Sequence, residues 1–183
     1  MRKGRKVLRL GALKCNDLAK ERYMMRIFVM LPSLDATDKQ ILEALQKDAT
    51  LTAQALGERV NLSASQAARR RQRLEEAGVI SHYAARLEPA RVGLDVQAFV
   101  QVTLARHERE AAQGFIRLTR LRPEIVSVWS LTGEADHLLR VFCPDLRALN
   151  TLIHEVLLAH PAVARVQSQI VMEQTKRDAP LPV

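Results

Sequence analysis

Between Leu34 and Gly78 apolar residues recur at helical spacing, and from Gln97 the period drops to two before helical stretches return. Leu34-Asp35-Ala36-Thr37-Asp38 opens a first helix. Asp35 or Thr37 can cap it, Ile41, Leu42 and Leu45 form its apolar stripe, and Leu34 is a candidate staple. Asp48 and Ala49 close it. Thr50 or Thr52 can cap a second, short helix, Thr52–Val60, burying Ala55, Leu56 and Val60. Asn61-Leu62 then makes a tight turn, and Ser63 caps a third helix that runs to about Ala77 and stops at Gly78. Three helices, the last two joined by so short a turn, form a helix-turn-helix unit.

Val79, Ile80 and Tyr83 start an extended segment, and Glu88-Pro89 with Gly93 reads as linker and turn. In Gln97–Arg106, Ala98, Val100, Val102 and Leu104 alternate with Gln97, Phe99, Gln101 and Thr103, the pattern of a strand with one apolar face. A helix over Glu108–Leu121 ends at Pro123. Strands at Glu124–Leu131 and His137–Cys143 flank the turn Thr132–Asp136. Asp145 caps a helix to about Ala159, and Val163–Glu173 forms the last strand. The order βαββαβ is a ferredoxin-like split βαβ, so the expected class is α+β: a winged-helix-like three-helix unit, then this sheet with helices on one face. The expected divisions are a basic extension over 1–33, the helical domain over 34–82, a linker over 83–95, the sheet domain over 96–176 and a tail over 177–183. Alternation sends Phe99, Trp129 or its neighbours, Arg140 and Ile170 to the outer sheet face, a partly apolar patch that suggests self-association.

Composition narrows the classes. The 183 residues are 48% hydrophobic and 26% charged, which excludes a disordered chain, and only 4% aromatic, too few for stacking single-stranded nucleic acid. Two cysteines, Cys15 and Cys143, build neither a disulfide framework nor a four-thiolate zinc site, so a reducing, cytoplasmic setting is expected. No run of about 18 apolar residues is present, so no membrane partner is expected. The formal charge of +8 is mostly local: residues 1–30 carry nine bases against two acids, whereas 88–183 carry eleven of each. That tail reads either as an arm touching phosphates or as an unstructured extension upstream of a start at Met24, Met25 or Met30.

Binding chemistry concentrates in the third helix. SASQAARRRQRLEEAG sets Arg69, Arg70, Arg71 and Arg73 before Glu75 and Glu76, the reverse of what a helix dipole favours in its second half. The order makes sense if the amino-terminal half faces a polyanion; the bland alternative is a solvated charged face. At 100° per residue, Ser65, Gln66, Arg69, Arg70 and Arg73 share an outward face, and Ala64, Ala67, Arg71 and Leu74 an inward one. Gln can pair with adenine and Arg with guanine, and either can hold phosphate. With Thr52, Gln54 and Ser63 from the preceding caps and helix, these are the candidate contacts to double-stranded DNA. Arg71 must snorkel past Leu74 or pair with an acid such as Glu58 or Glu75.

The segments LDATDKQILEALQKDA and LSASQAARRRQRLEEAGVISHY resemble the amino-terminal domain of the Lrp/AsnC family of bacterial and archaeal transcription regulators, and the likeness covers roughly Leu34 to Thr175. The resemblance implies a second domain of the RAM type (regulation of amino acid metabolism) that pairs sheet to sheet into a homodimer, with dimers building tetramers or octamers. It departs from the family pattern at Arg71 and Ala135, where members usually carry an aliphatic and an aromatic residue, and in residues 1–30, since members usually begin shortly before the Leu-Asp pair.

In the turn TGEADH, Gly133 can take positive φ and expose backbone N–H groups while Asp136 offers a carboxylate to an amine; an ordinary hairpin would use the same residues. The resemblance implies an effector pocket here that takes an amino acid or similar metabolite, formed by Gly133, Glu134, Ala135 and Asp136 with Leu131, Thr132 and His137 as neighbours. Enzyme signatures are missing: the five histidines show no metal spacing, no phosphate loop or nucleophile elbow occurs, and no cofactor or catalytic residue is expected. The alternative is a siroheme decarboxylase-like subunit, which shares the two-domain layout.

Overall fold

Asp35 sits in extended backbone and its carboxylate accepts the Asp38 N–H at 2.7 Å, while the Asp38 carboxylate accepts the Asp35 N–H at 3.2 Å. This reciprocal cap, with both acids at the positive helix end, starts α1, Ala36–Lys47. The computed structural model describes residues 33–105 and 109–183, in two compact units: one holds the helices and residues 180–183, the other spans Ala84–Ala179. The expected basic extension over 1–33 lies outside the described residues except for Ser33, as do Arg106, His107 and Glu108, the expected end of the first strand and start of the next helix.

In the helical unit, Thr52 rather than Thr50 caps α2, Ala53–Val60, its hydroxyl accepting the Ala55 N–H at 3.2 Å. Asn61 then takes a left-handed φ of 57°, and Ser63 caps α3, Ala64–Glu76. Gly57 makes the turn between α2 and α3 possible, because a Cβ there would lie 2.6 Å from the Leu62 carbonyl oxygen. The Ala64 nitrogen lies 3.3 Å from the same point, and the Ala64 side chain is exposed rather than inward as the helical wheel suggests. The core is aliphatic: Ile41, Leu42, Leu45, Leu51, Leu56, Val60, Ala67 and Leu74, with half-buried Leu34, Val79 and Ile80 packed against it. The residues read from sequence as a tail are partly built in, since the Gln46 side chain donates to the Leu181 carbonyl at 3.1 Å and accepts its N–H at 2.6 Å.

The second unit is an antiparallel sheet in the order β2-β3-β1-β4, from β1 Val96–Leu104, β2 Ile125–Ser130, β3 His137–Cys143 and β4 Val163–Ile170. Helix α4, Arg109–Leu121, joins β1 to β2, and α5, Leu146–Thr151, joins β3 to β4. The inward set Ala98, Val100, Val102, Leu139, Val141 and Cys143 is wholly buried, with Phe115 of α4 and Leu149, Leu152 and Leu157 in the same core. One expected helix, from Asp145 to about Ala159, is instead two pieces, with the π-helical turn Leu152–Leu157 following α5. The last strand stops at Ile170, short of Glu173.

Phe99 and Arg140 are direct partners on the outer face, as are Trp129 and Leu138. Arg140 lies over the Phe142 ring at 5.1 Å. Ile170 does not join them. Its register partner is Ala98, and residues directly opposite share a face, so it belongs to the helix side, half exposed at the end of an edge strand.

Candidate DNA interface and effector loop

The first turn of α3 is organised by side chains that sequence reading marked as DNA contacts. Ser63 Oγ accepts the Gln66 N–H at 3.2 Å, and Gln66 Oε1 accepts both the Ser63 N–H and the Ser63 hydroxyl at 3.1 Å. The Ser65 hydroxyl lies 3.1 Å from that of Ser63. With both lone pairs of Oε1 occupied, Gln66 presents only its amide N–H₂ outward. Held so, it can donate to phosphate or to guanine N7 and O6, but it cannot make the two-way pair that reads adenine. Thr52 is occupied as the α2 cap, and Gln54, exposed on α2, donates to Glu58 at 3.3 Å.

The arginine cluster divides. Arg69 is exposed and forms no ion pair among the described residues. Arg70 Nη1 donates to Asp35 Oδ2 at 2.6 Å and to Asp38 Oδ1 at 2.8 Å, and Arg73 Nη2 donates to Asp38 Oδ2. Asp38 has no exposed surface. The outward face drawn from the wheel was too broad here: Arg70 lies only about 40° from Leu74 and about 60° from Ala67, beside the buried stripe. The Arg70 hydrogen bond, then the backbone N–H of Asp38, holds the Asp35 carboxyl below the usual carboxylate range, and Arg70 is raised in turn.

Arg71 resolves its inward position through Glu75, to which its Nε donates at 3.0 Å. Its Nη1 donates to the Leu51 carbonyl at 3.2 Å, and the guanidinium stacks on Tyr83 at 4.7 Å. The Tyr83 hydroxyl donates to Glu75 at 2.7 Å, which with Arg71 lowers the Glu75 pKa. Asp38, Gly57 and Tyr83 were not singled out from sequence for these roles. The one available signal was spacing: Asp35 and Asp38 at the positive end of α1 are two acids against two arginines one turn apart on α3.

In the second unit the loop residues 131–137 close the β2–β3 hairpin. The Leu131 N–H donates to the Asp136 carbonyl at 2.9 Å and the Asp136 N–H to the Val102 carbonyl at 3.0 Å. Asp136 Oδ2 accepts the Leu104 N–H at 2.8 Å, and the Thr103 hydroxyl donates to the Glu134 carbonyl at 3.4 Å. Gly133 has φ +130°, a conformation that side chains strain. Thr132, Gly133, Glu134 and Asp136 are exposed, Leu131 is half-buried and Ala135 is buried. His137 points the other way: it is buried, stacked on Phe115 with ring centres 5.6 Å apart, its Nδ1 3.4 Å from the Ser130 hydroxyl. Burial lowers its pKa, opposed by the charge of Asp136. The loop thus offers one free carboxylate oxygen on Asp136, the Glu134 carboxylate and backbone groups, a set suited to an ammonium group.

Among the described residues no group of three His, Cys, Asp or Glu side chains could hold a metal ion, and no helix is long and apolar enough to cross a membrane.

A capped α2–turn–α3 pair above a basic, donor-rich helix end, joined in one chain to a ferredoxin-like sheet with a polar hairpin loop, defines a helix-turn-helix regulator with a ligand-binding domain. The family description "Winged helix-turn-helix DNA-binding" matches residues 34–81 and "Lrp/AsnC ligand binding domain" matches 97–181. The DNA-binding transcriptional activator DecR of Escherichia coli K12 is 34% identical over 82% of this chain and 99% of its own length. The leucine-responsive regulatory protein of Rhizobium meliloti is 35% identical over 81% of this chain and 95% of its own. The crystal structure of a transcriptional regulator–L-Met complex from Neisseria meningitidis superposes with a TM-score of 0.79 at 40% identity, covering 82% of this chain and 97% of that one. The chain belongs to the Lrp/AsnC family, and it is a DNA-binding transcriptional regulator of that type.

Proposed function

We propose that this regulator reads double-stranded DNA with the amino-terminal half of α3 and is tuned by an amino acid at the Leu131–His137 loop. Residues 34–82 are then the DNA-binding domain, 83–95 the linker and 96–176 the effector-binding and dimerisation domain. Ser65, Gln66 and Arg69 face the duplex; Thr52, Gln54 and Ser63 lie beside its backbone; Arg70 and Arg73 flank the same surface. The observation that carries this reading is the capped turn itself, which turns the Gln66 amide donors outward at a positive helix end beside exposed Arg69.

For the effector, the exposed acceptors of Asp136 and Glu134 support an amino acid ammonium group. A leucine-responsive relative and an L-Met complex of a similar structure support the same class. The partly apolar outer sheet face, with Trp129 and Phe99, supports a homodimer assembling into tetramers or octamers. The protein acts in the cytoplasm and by binding rather than catalysis. An effector would bias an equilibrium between assemblies by its differential affinity.

The test pairs two assays on the full chain. Fragments of genomic DNA retained by the protein are sequenced, and thermal shift is measured with each amino acid. Enrichment of discrete fragments, and a melting point raised by one or a few amino acids but not in Asp136→Ala, is expected. Uniform retention of all fragments, or an unchanged response in Asp136→Ala, overturns the corresponding half.

A further inference from the structure

Asp38 is the wholly buried acid among the described residues of the helical unit, and each of its oxygens is used. Oδ1 accepts from Arg70, and Oδ2 accepts from Arg73 and from the Asp35 N–H. Arg70 and Arg73 stand one turn apart on α3, so a single side chain of α1 grips α3 at two points. Besides these, α3 is held by the Arg70 hydrogen bond to Asp35, by the Arg71 hydrogen bond to the Leu51 carbonyl, and by the apolar stripe of Ala67 and Leu74, whose contacts are non-directional. Such a stripe keeps the helix down but leaves rotation about its axis soft, whereas two charge-assisted hydrogen bonds fix both rotation and register. Buried ion pairs are weak sources of net stability, and their better-attested use is to select one arrangement. Base readout needs that selection, because contacting side chains must be held within about 0.5 Å.

We propose that Asp38 is a positioning residue for DNA recognition, which sets the azimuth of α3 through Arg70 and Arg73. These two arginines serve the clamp and Arg69 supplies the phosphate or base contact of the cluster. The proposal rests on the reading of α3 as the DNA-contacting helix. Its consequence runs against simple electrostatics: removing the negative charge of Asp38 weakens specific binding to a polyanion.

The experiment measures binding of full-length protein by fluorescence anisotropy to a duplex selected from genomic DNA and to a random-sequence duplex, across a salt series. In Asp38→Asn the selected duplex is expected to bind about tenfold or more weakly, the equivalent of one lost base contact, while random DNA binds no more weakly than to wild type. Unchanged or tighter binding of the selected duplex overturns the proposal. Arg73→Gln keeps Arg70 on Asp38, so it decides the matter even where Asp38→Asn fails to fold. Its log–log salt slope is expected to equal that of wild type, whereas Arg69→Gln loses about 0.9 per contact removed. A slope lowered in Arg73→Gln as in Arg69→Gln makes Arg73 a DNA contact and overturns the proposal. If Arg69→Gln changes neither affinity nor slope, the reading of α3 fails instead.

Discussion

In the first turn of α3 the cap consumes side-chain oxygens and leaves nitrogens outward; in the Leu131–His137 loop the hairpin consumes an oxygen of Asp136 and leaves other oxygens exposed. Both regions are polar turns held by their own side chains, yet what remains free is opposite in kind. The helix end keeps donors, suited to an anionic duplex, and the loop keeps acceptors, suited to an ammonium group. The bonds each turn makes with itself decide which side-chain groups are left free.

The strongest way to break the contrast is to loosen the scaffold of one side. Leu56→Ala empties a fully buried position of the helical core and is expected to lower unfolding free energy by about 2–5 kcal/mol, read by urea denaturation. A cost under about 1 kcal/mol would show that the cap and clamp, not the aliphatic core, hold the helices.

A sharper probe of the donor end is Gln66→Glu. Glu keeps the reciprocal cap on Ser63 but has no N–H, so the melting point stays near wild type while affinity for a selected duplex falls about tenfold or more. Unaltered affinity would mean that the Gln66 amide is not used. Asp136→Ala removes the acceptor of the Leu104 N–H and is expected to cost about 1 kcal/mol of stability, alongside loss of effector response.

The smallest effect is on pH. His137 has a pKa lowered from its ordinary 6.5 by burial, so the unfolded chain binds the proton more readily than the folded one. Its contribution to stability is complete above about pH 6.5 and is lost as pH falls through the lower folded value. His137→Phe is expected to flatten the stability–pH profile in that window; an identical profile would place the dependence elsewhere.

Periodicity in the sequence carried most of the fold. Ser63 and Gly78 mark helix ends because caps and positive φ have few alternatives, Asp35 is one of two candidate caps beside Thr37, and the alternation in β1 identifies Ala98, Val100 and Val102 as inward without knowledge of partners. What stayed hidden depends on a second element. The helical wheel shows Arg70 at the edge of a stripe but not that Asp38 waits opposite, and alternation in β4 cannot place Ile170 until its pairing with Ala98 is known. The break of the second helical segment into a π turn at Leu152 likewise has no local marker, since Leu149–Leu158 reads as helix throughout. The candidate binding residues were legible as residue types in turns that the structure also forms; the hydrogen bonds these residues make within the protein were not.

The most direct test is to map α3 on DNA. Ala68 is exposed on α3 and serves neither cap nor clamp, and Cys143 is buried, so Ala68→Cys with Cys15→Ser gives a single attachment point for an iron chelate. On a selected genomic fragment, strand cleavage is predicted at two discrete positions about one helical turn apart, with the pattern of a cutter in the major groove. Scattered cleavage along the duplex, or none at concentrations where the fragment is fully bound, would contradict the account.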